Sequence, residues 1–242
     1  MRHVFVTGGT GYIGRRVIAA LIARGHRVHA LARPGSERKL PPGCTPIVGD
    51  ALDAASFQDA VAPADTFIHL VGVAHPGPSQ AAAFRSVDLA SARAAVQAAR
   101  AAGTIRHFVY LSVAQPAPVM KAYVAARREG EAALAASGLP STVVRPWYVL
   151  GPGHWWPLLL LPLYAVARLF PRARATARRL GLVTLPQMVS TLVRAVESPA
   201  PTATRVIEVP EISSGGGARS ATSRPGGRPS RPASDQRRAG GG

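Results

Sequence analysis

Three glycines, Gly8, Gly11 and Gly14, stand directly behind the apolar run Val4-Phe5-Val6. A strand that turns this sharply into a helix needs residues without a Cβ, both for the bend and so that a pyrophosphate can reach the backbone. The helix expected over 12–24 carries Ile13, Val17, Ile18 and Leu21 as an apolar stripe and ends at Gly25. Its unpaired N–H groups and positive dipole end point to one spot, which suits the phosphates of a dinucleotide. A glycine-rich turn that binds nothing is the alternative, and the strand before it and the amphipathic helix after it favour the ligand. Where a dinucleotide site meets the adenosine ribose, about twenty residues past such a turn, the chain has Arg33. A guanidinium there suits a 2′-phosphate, with Ser36, Arg38 and Lys39 as further donors. A solvated basic loop would look the same.

The elements that must hold these residues follow from hydrophobic patterning. Strands are expected over 27–32, 45–48, 66–72, 106–112 and 141–145, with helices over 82–102 and 119–137 between them, the first ending at Gly103 and the second at Gly138. The run 66–72 is continuously apolar, as in a central parallel strand buried on both faces, and His69 within it reads as a packed core residue. A further helix is expected through Phe57 and Val61, with Asp53 as its N-cap. Thr184-Leu185-Pro186-Gln187 reads as a capping box opening a helix, and 205–209 as a last strand. Strands alternating with helices at this spacing predict an α/β fold with a doubly wound parallel sheet.

The string Thr7-Gly8-Gly9-Thr10-Gly11-Tyr12-Ile13-Gly14 resembles the TGxxGxxG fingerprint of the extended and atypical short-chain dehydrogenase/reductases, the NAD-dependent epimerase/dehydratase-like group. The resemblance implies a Rossmann domain binding NAD(H) or NADP(H), and Arg33 favours NADP(H), with NAD as the other candidate. In the turn it implies cofactor contacts from Gly8, Thr10, Gly11, Tyr12, Ile13 and Gly14. Gly49-Asp50-Ala51-Leu52-Asp53 resembles the GDxxD stretch beside the adenine, which brings in Asp50 and Ala51. Leu70, Val71 and Gly72 match the place where the chain passes under the cofactor, and Pro146 and Val149 match an RPxxVxGPG loop that runs past the nicotinamide.

Reductases of this family move a hydride between the nicotinamide C4 and a carbonyl or alcohol carbon while a tyrosine supplies or takes the proton. Its usual helpers are a lysine one helical turn away, as YxxxK, and a serine or threonine behind the fifth strand. The matching stretch here is Tyr123-Val124-Ala125-Ala126-Arg127, followed by Glu131 where related sequences place an acid. The resemblance therefore implies Tyr123 as the acid/base, Arg127 as its electrostatic partner and Ser112 as the substrate donor, since Val113 and Ala114 hold the other positions the family uses. Arginine keeps the charge and can reach ribose hydroxyls, but it does not readily release a proton. The leading expectation is an NADP(H)-preferring reductase or epimerase-like oxidoreductase acting on a small apolar carbonyl or alcohol, with no metal. The altered positions keep open a cofactor-binding protein without turnover, similar to the accessory short-chain-dehydrogenase-like subunit of respiratory complex I or to the NmrA-type redox sensors. In that reading Tyr123 only packs near the cofactor.

Composition sets the remaining bounds. The 242 residues carry a formal net charge of +17, and the basic residues are nearly all arginine, with Lys39 and Lys121 the exceptions. Arginines are dense in 168–179 and in the tail, yet no nucleic-acid motif accompanies them and aromatic residues make up 6%, so no specific nucleic-acid partner is expected. The single cysteine, Cys44, excludes an internal disulfide and a cysteine-built metal site. With no signal segment before the first strand, the expected compartment is the cytoplasm. The apolar run 155–167 is shorter than the roughly 18 residues that span a bilayer and contains two prolines, so it is either a substrate-pocket wall or, with the arginines of 168–179, a segment lying on an anionic membrane. The expected organisation is a cofactor-binding core over 1–146, a small substrate-covering cap with the last core elements over 147–212, and a disordered Gly/Ser/Pro/Arg tail over 213–242.

Overall fold

A computed structural model of the chain describes residues 1–74, 76–153, 176, 179–200 and 203–215. The strands are β1 (His3–Thr7), β2 (Arg27–Ala32), β3 (Thr45–Val48), β4 (Thr66–His69), β5 (His107–Leu111), β6 (Ser141–Arg145), β7 (Tyr148–Leu150), β8 (Leu182–Thr184) and β9 (Thr204–Glu208). The main helices are α1 (Gly14–Ala23), α2 (Ala90–Ala102), α3 (Lys121–Ala136), α4 (Leu185–Glu197) and α5 (Val209–Ser213). Seven strands form one sheet in the order β3-β2-β1-β4-β5-β6-β9, all neighbours parallel, while β7 and β8 pair separately. This is the doubly wound α/β sheet that the alternation of strands and helices requires.

Successive residues of each strand face opposite layers, so the apolar runs fill two cores. Val4, Val6, Ile68 and Val109 pack with Val17, Ile18 and Leu21 of α1 and Met188, Leu192 and Val196 of α4. On the other face Phe5, Phe67 and Phe108 sit in register across β1, β4 and β5, with ring centroids 5.3 and 4.9 Å apart, against Ala92, Ala95, Ala99 and Leu134. Alanines on α2 let that helix lie close to this aromatic row.

Several expectations need correction. The stretch through Phe57 and Val61 forms two 3₁₀ turns, Ala54–Ser56 and Gln58–Val61, rather than one helix. Asp53 is nevertheless an N-cap, accepting from the Ala55 N–H at 3.1 Å. The strand expected over 66–72 ends at His69, because Leu70–Gly72 leave the ladder to pass beneath the glycine turn, where Leu70 still donates to the Thr7 carbonyl at 3.0 Å. The helix expected over 82–102 contains a π-helical stretch, Phe84–Leu89, ahead of α2. The capping box at α4 is present, with the Thr184 side chain on the Gln187 N–H and the Gln187 side chain on the Thr184 N–H. The apolar run 155–167, most of the basic run that follows it, and the tail beyond Gly215 lie outside the described residues.

Candidate functional site

A cleft of about 460 Å³ opens at the C-terminal ends of β1 and β4, where the strand order reverses direction and open α/β sheets bind ligands. Gly8, Thr10 and Gly11 form one wall, Leu70, Val71 and Gly72 another, and Arg33, Ser36, Lys39, Asp50 and Ala51 surround the end beyond β2 and β3. Nine of the residues expected at a cofactor therefore come together in one cleft.

The local backbone explains this convergence. Gly8 has φ +78°, and a Cβ on it would sit 2.7 Å from the Leu70 carbonyl carbon, so only glycine lets β4 run so close under the turn. A Cβ on Gly14 would collide with the Gly8 carbonyl oxygen, which binds the start of α1 tightly to the turn. No side chain caps the start of α1 and no acidic residue stands in its first turn, so its dipole meets no competing anion there, while the Arg15, Arg16 and Val17 N–H groups donate to the Gly11 and Ile13 carbonyls. Asp50 shapes the next loop, accepting from the Leu52 N–H at 3.0 Å, while its own N–H donates to Ser56 at 2.9 Å. The turn carries no carboxylate, and two cationic side chains and a hydroxyl, Arg33, Lys39 and Ser36, line the β2 end of the cleft.

The other expected cofactor residues lie off this cleft. Tyr12 lies under the Arg16 guanidinium, 4.5 Å from its ring centroid, with its hydroxyl against Gly151. Ile13 packs on the core beneath α1. The Pro146 carbonyl accepts from the Ala114 N–H at 2.8 Å, and Val149 pairs with Val183 in the small sheet.

At the end where chemistry was expected, polar groups are turned inward. Tyr123, half-buried near the start of α3, packs at 5.0 Å on Phe84, in a cluster that Val73 and Met120 also join. The Arg127 guanidinium lies 5.3 Å from the Tyr123 ring centroid but points beneath Gly72, into the protein. One terminal nitrogen meets Asp88 Oδ1 at 2.7 Å and the other donates to the Leu111 carbonyl at 2.9 Å. Ser112, 3% exposed, donates to Glu131 Oε1 at 2.5 Å, and the same carboxylate accepts from Gln115 at 2.8 Å and from Arg145 at 3.0 and 2.5 Å. Tyr123 and Arg127 are thus neighbours, while the Ser112 hydroxyl belongs to a separate network.

Electrostatics follows from this burial. Burial opposes the charge on Arg127, yet the phenols of Tyr123 and Tyr110 and the Asp88 carboxylate outweigh it, so the guanidinium stays charged. His69 is fully buried, with Nδ1 2.8 Å from the Thr7 hydroxyl, and burial together with nearby Arg127 pushes it down to about 3. It is a neutral core residue, as its place in the strand suggested.

Asp88, Gln115 and Arg145 were not singled out from the sequence. Asp88 had a signal, since it stands four residues past Phe84 and four before Ala92, an acid inside a buried helical stripe. Gln115 and Arg145 had none, because their partner Glu131 is remote in sequence. Among the described residues no group of three His, Cys, Asp or Glu side chains could hold a metal, and no helix is long and apolar enough to cross a membrane.

Residues 8–151 match a family model described as NAD(P)H-binding. The chain is 32% identical over 177 residues to the ceramide reductase of Caulobacter vibrioides, covering 72% of this chain and 55% of that protein. It spans about half the length, or less, of the curated relatives it matches. In fold it is similar to the Bordetella bronchiseptica enzyme WbmH in complex with NAD+, with a TM-score of 0.64 at 20% identity over 86% of this chain and 75% of that one. A short-chain dehydrogenase/reductase superfamily protein of Agrobacterium tumefaciens with bound NAD gives 0.62 at 20% identity, over 85% and 77% of the two chains. With the glycine cradle, the strand order and the family match in agreement, the chain belongs to the NAD(P)H-binding family.

Proposed function

We propose that this protein is an NADP(H)-preferring reductase of an apolar carbonyl substrate, with Tyr123 as the proton donor. The observation that carries the reading is the end of the cleft beyond β2, where Arg33, Ser36 and Lys39 stand together. A guanidinium, an ammonium and a hydroxyl match a 2′-phosphate, and such charge-assisted bonds are the strong ones. The glycine turn and the start of α1 hold the pyrophosphate, Asp50 and Ala51 flank the adenine, and Leu70–Gly72 support the nicotinamide ribose. Bound NADPH supplies the hydride. Tyr123 gives its phenolic proton to the carbonyl oxygen, beside an apolar cluster of Phe84, Val73 and Met120. An apolar substrate accords with this cluster and with the relative named for ceramide.

NADPH consumption against a panel of apolar ketones, aldehydes and quinones tests the reading. Tyr123→Phe should lower turnover by about 10²–10⁴-fold while NADPH affinity stays within a few-fold. Turnover that survives the substitution would rule out Tyr123 as the acid. A second reading, an NAD(P)H-binding protein without turnover, is favoured by one observation: the Ser112 hydroxyl and the terminal nitrogens of Arg127 both face internal acceptors. It prevails if NADPH binds and no member of the panel is reduced.

A further inference from the structure

The Asp88–Arg127 pair is the most deeply buried ion pair among the described residues, with side chains 0% and 5% exposed, and it lies against the cleft rather than in the middle of a core. A Cβ on Gly72, a cleft residue, would run into the Arg127 guanidinium and stand 3.1 Å from Asp88 Oδ1. The second Asp88 oxygen accepts from the Val73 N–H at 3.1 Å, tying down the chain just past Gly72. The pair thus touches the cleft floor from below at two consecutive residues.

Asp88 reaches this place because of the π-helical stretch Phe84–Leu89. A π turn widens the helix by one residue and turns side chains that an α-helix would aim elsewhere, which is why such stretches gather at functional positions. The same stretch places Phe84 against the Tyr123 ring. Arg127 stands one helical turn beyond Tyr123 on α3 and also donates to the Leu111 carbonyl at the end of β5. A single guanidinium therefore links the π stretch, the end of β5 and the residue expected to move the proton.

Burying two charges is costly unless each is fully engaged, and replacing such a pair by apolar residues is often neutral or stabilising. A pair that lies directly beneath a cofactor cleft is therefore better explained by what it positions than by net stability. We propose that Asp88 is a positioning residue of the nicotinamide end of the cleft: its carboxylate draws the Arg127 guanidinium under Gly72 and holds the Val73 N–H, fixing the cleft floor and the setting of Tyr123 before any cofactor arrives. Arg127 then acts as an internal latch, and its charge is not offered to the cofactor ribose. This inference rests on the cleft being the NADPH site, and its test separates the two.

The first measurement needs no cofactor. In the unsubstituted, ligand-free protein, hydrogen exchange should find the Val73 amide protected, and adding NADPH should change that protection little. A Val73 amide that exchanges freely until NADPH is added would overturn a preformed latch. The second is a double-substitution cycle read as NADPH affinity and as the exchange of Val73. Asp88→Asn keeps the shape and an acceptor for Val73 while removing the charge, and Arg127→Met removes the partner. Each should weaken NADPH binding by about tenfold or more, and the double variant should be no worse than the single ones, because the pair acts as one unit. If Arg127 served the ribose directly, Asp88→Asn would free it and leave affinity unchanged or improved, which would refute the latch. If a single variant does not fold, the exchange result on the unsubstituted protein decides. If the unsubstituted protein does not bind NADPH while Val73 is protected, the latch stands and the functional reading falls.

Discussion

The two ends of the cleft handle polar groups in opposite ways. At the glycine turn, positive charge is left open: α1 has no acid in its first turn, and Arg33 and Lys39 are exposed beside the cleft. Near Tyr123, side-chain donors are turned inward, with Arg127 against Asp88 and Leu111, and Ser112 on Glu131. An open cradle binds whatever anion matches it, and a closed network sets geometry. On the proposed reading the open end holds the cofactor, the closed end keeps its own geometry, and proton transfer falls to Tyr123.

The largest expected effect breaks the open end. Gly14→Ala forces a methyl group into the Gly8 carbonyl at the base of α1. It should destabilise the fold by about 2–4 kcal/mol and abolish cofactor binding. Denaturant unfolding with a parallel NADPH titration checks both. An alanine variant of full stability would mean that the turn is looser than its packing indicates.

The next effect concerns two buried histidines, His69 near Arg127 and His107 at the far end of β5, and is read with pH. Burial holds His69 at about 3, with Arg127 adding to it, and His107 at about 4, with Arg2 adding to it, both from an ordinary value of 6.5. The unfolded chain takes up these protons near the ordinary value and the folded chain resists them, so the stability they contribute is present above about 6.5 and is lost as pH falls toward 4 and then 3. Unfolding free energy measured across that window should fall steadily with acid. His69→Gln should flatten the lower part of the curve, and an unchanged slope in that variant would show that another group drives the acid sensitivity.

This contrast also explains what the sequence could disclose. The seven strands of the main sheet and the glycine turn were legible because each depends on local pattern: apolar runs bounded by turns, glycines at fixed spacing, and a basic residue at a set distance from them. The closed end was not, because its partners are far apart. Asp88 and Arg127 are separated by helix α2, strand β5 and the loops beside it, and Ser112, Gln115, Glu131 and Arg145 meet only once β5, α3 and β6 have packed. Tyr123 and Arg127 could be read as neighbours from their helical spacing, but the direction in which the guanidinium points could not. That direction is set by an acid on a π-helical stretch whose pattern resembles an ordinary helix.

The most direct test of the open end is a calorimetric titration of the protein with NADPH and with NADH, repeated on Arg33→Ala. If Arg33 meets a 2′-phosphate, NADPH should bind more tightly than NADH by about 1.5–3 kcal/mol, and Arg33→Ala should erase most of that difference while leaving NADH affinity nearly unchanged. Equal affinities for the two cofactors in the unsubstituted protein, or a preference that survives the loss of Arg33, would contradict the account.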